Sequence, residues 1–252
     1  MAGLRALSVL VAGLGAASGC RAKGGVPLTS QEKPPILLFV GSGTSPQDVA
    51  AFEALLSDGQ QRYSEADSDE LNAMSEAQLR AYRLFIMPGG NFLTIGESLK
   101  PATITHVRDA VRHGVSYLGT CAGAFLASTS SHYRSFGFAT GVQFKFYAAE
   151  AKGLRKAAVK IAGASTPPID VYWEDGPELT GWGAVVARYP DRTPAVVEGT
   201  VDDGWVVLSG VHAEAPESWR RSLSFDTPRP VALAFARSLV ASALNRRPLP
   251  HD

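Results

Sequence analysis

Gly119-Thr120-Cys121-Ala122-Gly123 links two apolar segments of the chain, Val115 to Leu118 before it and Ala124 to Ala127 after it. The first segment is typical of a buried strand, and we expect a helix to begin in the second. Glycines on both sides of a central residue permit a tight strand-to-helix turn, in which that residue has a strained backbone and its side chain points out of the sheet edge. We therefore predict that Cys121 lies at such a turn, beyond the carboxyl end of its strand.

The residues before this turn alternate between strand-like and helix-like patterns. Continuous apolar runs predict buried strands at 36–40 and 84–87, and a weaker strand is predicted at 62–66. Helical spacing of apolar residues, or capping signals, predict helices at 46–56, 75–82 and 103–113. This alternation is typical of a mostly parallel sheet with helices on both faces.

The second half of the chain has a different texture, with short strands separated by Gly, Pro and Asp. Strands are predicted at 157–161, 169–173, 183–189, 194–198 and 205–208, and a closing helix at 231–244. We find no internal repeat and no domain-sized linker. The expected organisation is one α/β domain over residues 36–252.

Composition excludes several classes of protein. The chain has 252 residues, with 24 Lys and Arg against 24 Asp and Glu, so its formal net charge is zero. This balance argues against nucleic-acid binding driven by a net positive charge, and we expect no nucleic-acid partner. With two cysteines, a disulfide-rich scaffold is excluded as well. We also expect no cofactor and no metal site.

The first 19 residues have the pattern of an export signal. Arg5 is the only charge before Arg21, and the apolar run 6–17 is shorter than the roughly 20 residues that a membrane-spanning helix needs. The junction Ala17-Ser18-Gly19-Cys20 resembles the lipobox of bacterial lipoproteins, in which the cysteine is lipidated, although Ala17 stands where that motif usually has Leu. An ordinary cleavage site beside an incidental Cys20 is the alternative. We expect a signal peptide at 1–19, a flexible tether at 20–35, and a lipid-anchored protein of the bacterial cell envelope.

A second chemically informative motif is Gly210-Val211-His212-Ala213-Glu214, which follows the predicted strand at 205–208. A thiol nucleophile needs a base, and that base needs an acceptor on its other ring nitrogen. The i, i+2 spacing in an extended chain brings His212 and Glu214 to one side of the backbone. Taken alone, such a pair is more often a pair of solvated loop residues. The other histidines, at 106, 113, 132 and 251, are interpreted as surface residues.

The two motifs together resemble the class I glutamine amidotransferase-like superfamily. The sequence from Tyr117 to Gly123, followed by His212 and Glu214 about 91 residues after Cys121, is most similar to the domain at the N-terminus of some eukaryotic biotin-protein ligases, which also exists as free-standing bacterial proteins. Supporting segments lie at 39–43, 87–91 and 188–210. The resemblance implies a flavodoxin-like, doubly wound sheet, with the additional short strands in the C-terminal half.

The resemblance also implies roles for individual residues. Cys121 would be the nucleophile, His212 the base and Glu214 its orienting carboxylate, while the N–H groups of Gly90 and Ala122 would form the oxyanion hole. Ala213 departs from the proline common in amidotransferases. No synthetase or ligase domain that would receive ammonia is recognisable in the sequence, so glutamine amide transfer is not the expected reaction.

Two functions remain open from the sequence. The first is an exported cysteine-dependent amidohydrolase, which would act through a thioester on a small-molecule or peptide-like amide. The second is a non-catalytic envelope protein that keeps the fold and a ligand pocket. Three further residues either shape that pocket or are packing or solvent-facing residues: Asn91, Tyr147 and Trp173.

Overall fold

A computed structural model describes residues 34–148, 152–164 and 166–252. The predicted signal peptide, Cys20 and nearly all of the predicted tether lie outside these residues. Contacts gather Lys33–Asp252 into one compact unit. None of the helices in the described residues has the length and apolar character of a membrane-spanning segment.

Nine strands of the described chain form one sheet, in the order β2-β1-β3-β4-β11-β10-β9-β6-β7. Their bounds are β1 Ile36–Phe39, β2 Tyr63–Ala66, β3 Leu84–Met87, β4 Ser116–Thr120, β6 Lys156–Gly163, β7 Thr166–Glu174, β9 Ala184–Arg188, β10 Pro194–Val201 and β11 Gly204–Ser209. Two short strands, β5 Lys145–Phe146 and β8 Pro177–Glu178, pair separately.

The sheet has a parallel half and an antiparallel half. Strands β2, β1, β3, β4 and β11 are parallel neighbours, which is the flavodoxin-like order. Strands β10, β9, β6 and β7 extend this sheet with antiparallel pairs. The predicted fold class, with its extra strands in the C-terminal half, is confirmed.

Helices cover both faces of the sheet, because the buried strands are apolar on both sides. The helices are α1 Pro46–Asp58, α2 Ser68–Ala73, α3 Glu76–Leu79, α4 Phe92–Ser98, α5 Pro101–Arg112, α6 Ala122–Ala127, α7 Glu217–Arg220 and α8 Arg229–Asn245. Helices α1 and α8 contribute to the apolar cluster on one face. Helices α2 to α6 contribute to the cluster on the other.

Several local predictions need correction. The helix predicted at 75–82 is a single capped turn that ends at Leu79, and three short helices, α2, α4 and α7, were not predicted. Four to seven residues are too few to show a helical apolar period. His106 is half-buried rather than at the surface, with Nδ1 3.1 Å from the Met74 carbonyl oxygen.

The parallel order places functional loops at one edge of the sheet. The loops after β1 and β3 lead to helices on opposite faces of the sheet. In this topology, ligands bind in the crevice between two such strands. These loops meet directly, because Ser45 N–H donates to the Gly89 carbonyl at 2.9 Å and Asn91 N–H donates to the Gly43 carbonyl at 2.8 Å. The turn after β4 opens at the same edge.

Candidate active site

Cys121 occupies the predicted strand-to-helix turn, between the end of β4 and the start of α6. Its backbone has φ 49° and ψ −103°, a conformation that residues with a side chain rarely adopt. Its N–H donates to the Ser209 carbonyl oxygen at 2.8 Å, which ties the turn to the neighbouring strand β11. The strained geometry that the flanking glycines predict is therefore present.

The two glycines allow close backbone packing around the cysteine. A Cβ at Gly123 would overlap the Met87 carbonyl oxygen, so only glycine lets α6 approach strand β3. A Cβ at Gly119 would lie 2.6 Å from Gly123 backbone atoms. The motif thus sets the direction in which Cys121 leaves the sheet.

His212 and Glu214 lie in the loop after β11 and contact each other directly. His212 Nδ1 is 2.7 Å from Glu214 Oε1, as the i, i+2 spacing predicts. The His212 N–H donates to the Tyr172 carbonyl oxygen at 2.8 Å, and the Trp219 ring packs edge-on to the imidazole with centroids 5.3 Å apart. Both side chains are buried, so their hydrogen bond is shielded from bulk water.

Asp48 is a third buried polar group here, and the sequence reading missed it. It lies in the first turn of α1 with no exposed surface, and its Oδ1 is 3.4 Å from His212 Nδ1. Its Oδ2 accepts from the Gly89 N–H at 2.5 Å. A signal was available, because Asp48 shares one helical face with Phe52 and Leu55, so that an acidic residue stands on the core-facing stripe.

The side chains converge on Gly89. A Cβ at that position would lie 2.6 Å from His212 Cε1, 3.0 Å from Asp48 Oδ2 and 3.3 Å from Cys121 Cβ. The Cys121 Sγ donates to the Glu174 carbonyl oxygen at 3.6 Å, and a side-chain interaction with Cys121 raises the pKa of His212. Cys121 and His212, which come from distant segments of the chain, are therefore neighbours.

Burial and charge set the protonation of this cluster. Burial by itself lowers the pKa of His212, but the Asp48 carboxylate outweighs it and holds that pKa well above its usual value. Burial, together with the nearby Asp48 charge, raises the pKa of Glu214 to about 7. Although burial opposes ionisation of Asp48, the His212 charge and the Gly89 N–H keep its pKa below the usual value. The ring therefore holds a proton readily.

The predicted oxyanion donors lie beside the cysteine. Thr44 and Gly90 lie opposite each other in an antiparallel bridge, but the hydrogen bonds of that bridge are made by the residues next to them. The Gly90 N–H takes no part in these bonds. Ala122 begins α6, where an N–H has no partner within the helix. Gly90 lines the same cavity as Cys121.

The cavity at this edge has a volume of about 620 Å³ and includes both Cys121 and His212 in its lining. One wall is aromatic, with Phe92 stacked on Phe125 at 4.6 Å and Phe146 4.9 Å from Phe125. Of the three residues left open by the sequence, Asn91 lines this cavity and also caps α4. Tyr147 and Trp173 are buried packing residues in edge-to-face contact with each other.

Asp48, His212 and Glu214 also offer ligand atoms within 4.8 Å of one another, a spacing that a metal ion could use. The direct His212–Glu214 hydrogen bond, however, occupies the ring nitrogen that both carboxylates face. The three side chains therefore form a hydrogen-bonded cluster.

Comparison with known proteins identifies the family. The model of the family described as "Biotin-protein ligase, N terminal" matches residues 35–166, more than half of the chain. The chain belongs to the biotin-protein ligase N-terminal family. It is 26% identical over 208 residues to the biotin--protein ligase of Schizosaccharomyces pombe, a match covering 71% of this chain and 33% of that protein. The chain thus spans about a third of this curated relative.

Two solved structures share the fold of this chain. A glutamine amidotransferase has a TM-score of 0.55 at 18% identity, with 82% of this chain and 99% of that chain covered. A chain of PurLQS from Thermotoga maritima has a TM-score of 0.56 at 15% identity, covering 83% and 99%. The likeness to these structures confirms the expected fold.

Proposed function

We propose that this protein is an exported, lipid-anchored member of the family that hydrolyses an amide or related acyl bond, with Cys121 as nucleophile. The observation that carries the proposal is that Cys121 and His212 line one cavity and that Glu214 contacts the His212 ring. The strained backbone at Cys121 supports it further, because strain of this kind is maintained at reactive turns.

In the proposed reaction, His212 holds the proton taken from the Cys121 thiol, and the thiolate sulfur attacks the amide carbon. The C–S bond forms, and the Gly90 and Ala122 N–H groups receive the negative oxygen. The C–N bond then breaks as His212 gives its proton to the leaving amine. Water, deprotonated by His212, attacks the thioester and releases a carboxylic acid, and the proton returns to the sulfur. Glu214 keeps the ring oriented throughout.

The cavity supports a small-molecule or peptide-like amide as substrate. Its aromatic wall offers apolar contact beside the nucleophile, while Glu174, Asp175 and Arg155 supply charged groups elsewhere in the lining. Arg155 is already paired with Asp175. An amide with an apolar group next to its carbonyl fits this division.

The test of the reaction uses a thiol-directed probe and a panel of hydrolysable amides and cell-wall fragments. We expect Cys121 to react near neutral pH, with strong loss in His212→Ala and no change in His132→Ala, an exposed histidine outside the cavity lining. Turnover should disappear in Cys121→Ser. Saturable binding of a panel member without turnover would instead support the non-catalytic envelope protein.

The proposed anchor is tested separately by intact-mass measurement of protein from a bacterial membrane fraction. We expect a mature chain that begins at a lipidated Cys20, and release of Cys20→Ala from the membrane. With Cys20 lipidated, thiol counting should find one free thiol, at Cys121, because the sequence has two cysteines. A retained Met1 or an unmodified Cys20 would contradict the anchor.

A further inference from the structure

One carboxylate connects the two halves of the candidate active site. Asp48 Oδ1 faces His212 Nδ1 at 3.4 Å, and Oδ2 accepts from the Gly89 N–H at 2.5 Å. Gly89 directly precedes Gly90, the proposed oxyanion donor. The base and the oxyanion loop come from segments more than 100 residues apart, and both contact this side chain.

Helix stability does not explain the carboxylate. Ser45 is the N-cap of α1, and its side chain accepts from the Asp48 N–H, so the Asp48 side chain is not needed as a cap. Within the described residues, its Oδ1 has no hydrogen bond of normal geometry, and the side chain has no exposed surface. An ionised group buried in this way is costly unless a nearby charge compensates it. The compensating group is His212.

We propose that Asp48 is a positioning residue that holds the His212 ring protonated and fixes it relative to the Gly89–Gly90 loop. This inference rests on the proposed function, because it assigns His212 as the base and Gly90 as an oxyanion donor. Asp48 acts through these residues and does not itself touch the reacting atoms. Its carboxylate is the second one that faces the ring nitrogen Nδ1, which Glu214 already contacts.

Four titratable groups face His212. They are Asp48 of α1, Cys121 of the turn after β4, Tyr172 of β7, and Glu214 of the loop that carries His212 itself. Helix α7 adds the uncharged Trp219 ring. The Tyr172 hydroxyl donates to Glu174 at 2.5 Å. Because the Tyr172 hydroxyl is neutral, Asp48 and Glu214 are the charged side chains that bias His212.

The test is the pH profile of Cys121 alkylation by iodoacetamide in the full chain and in Asp48→Asn. The asparagine keeps the shape and an acceptor for Gly89 but removes the charge. A less basic ring takes up the thiol proton less readily, so we expect the rate at neutral pH to fall at least about tenfold, the effect of one pKa unit. The rise of the rate should move to higher pH.

Two matched variants separate this role from general stability. Asp58→Asn removes an exposed carboxylate from the same helix, and Glu198→Gln neutralises a fully buried carboxylate that does not line the cavity. Both should keep the wild-type pH profile, even if Glu198→Gln lowers the melting temperature. A folded Asp48→Asn protein with the wild-type profile would overturn the proposal.

A measurement on the unaltered protein covers the case in which Asp48→Asn does not fold. In imidazole ¹⁵N NMR, His212 should stay protonated on both nitrogens well above the pH at which a free imidazole loses a proton. Titration of His212 in the range of a free imidazole would contradict the proposal. Neither experiment needs a substrate, so failure of every amide to be hydrolysed would reject the proposed reaction while leaving this test intact.

Discussion

The backbone of Cys121 adopts a conformation that glycine would tolerate better, and the protein nevertheless keeps a thiol there. A non-glycine residue at φ 49° and ψ −103° costs on the order of 1–3 kcal/mol. This cost is offset by the surrounding contacts, including the hydrogen bond from the Cys121 N–H to Ser209. At the residue scale, strain therefore marks the position where chemistry is proposed.

Replacing Cys121 by glycine should relieve this strain, whereas alanine should keep it. We expect Cys121→Gly to be more stable than Cys121→Ala by about 1 kcal/mol, despite the greater flexibility of glycine in the unfolded chain. Denaturant unfolding of the two variants measures the difference. Equal stabilities, or a more stable alanine variant, would show that the turn is not strained.

Glu214 should make stability depend on pH in a defined direction. Its pKa is raised from 4.5 to about 7 in the folded protein, so the folded state binds the extra proton between these values. The stabilisation is complete below the unfolded pKa and is lost as pH rises through the folded pKa. Glu214→Gln removes this dependence, and we expect its unfolding free energy to gain about 1–3 kcal/mol relative to wild type over that pH window.

Denaturant titrations of both proteins at several pH values provide the measurement. Asp58→Asn, which removes an exposed carboxylate of α1, is the control for the loss of one negative charge. Parallel curves for wild type and Glu214→Gln would contradict the raised pKa.

Close packing of α6 against β3 explains why the turn needs glycine at position 123, on the helix side of the cysteine. Helix α6 has only six residues and little helical stability of its own, so its position depends on contact with β3. That contact passes through Gly123, which lies against the Met87 carbonyl.

Gly123→Ala should therefore disturb a whole element rather than one side chain. We expect a loss of about 1–3 kcal/mol in unfolding free energy, as is usual for overpacking, and slower alkylation of Cys121 because the turn shifts. Gly59→Ala at the end of α1 is the matched control, since its nearest contact would be 3.3 Å and its φ of −80° suits alanine. Similar melting temperatures for the two variants would contradict this account.

The C-terminal segment is held to the rest of the molecule by contacts with one buried carboxylate. Glu198 of β10 accepts from the Leu249 N–H at 2.5 Å and the Ser242 hydroxyl at 2.7 Å, and it lies 2.8 Å from His251 Nε2. His251 is exposed, as the sequence reading expects, yet it takes part in this buried network. The last residues of the sequence thus cover the antiparallel half of the sheet.

Removal of residues 248–252 should destabilise the protein although it removes little core. Glu198 would keep Ser242 but lose Leu249 and His251, and loss of partners to a buried charge costs about 3–5 kcal/mol. Glu198→Gln in the shortened chain should recover part of that stability, because a neutral amide is cheaper to bury. Thermal unfolding of the three proteins tests this, and a shortened chain as stable as wild type would refute it.

Local patterns in the sequence are sufficient for much of this architecture. Continuous apolar runs identify β1 and β3, and the glycine-flanked cysteine identifies the turn after β4, because a two-sided buried strand and a tight turn each leave a local signature. The pairing of His212 with Glu214 is also local, since both lie in one extended segment. The short helix α7, which has no side-chain cap, lacks such a signature.

Asp48 could not be placed in the same way, because its role depends on a contact with His212, 164 residues later in the chain. An acidic residue in the first turn of a helix is ordinarily favourable there, and the position of Asp48 on the core-facing stripe does not say which residue it contacts. Its burial results from the parallel strand order, which brings the loops after β1, β3, β4 and β11 to one edge of the sheet. Local periodicity fixes which segments are strands and helices, but the protonation of His212 follows from a long-range electrostatic contact that exists only once those segments are assembled.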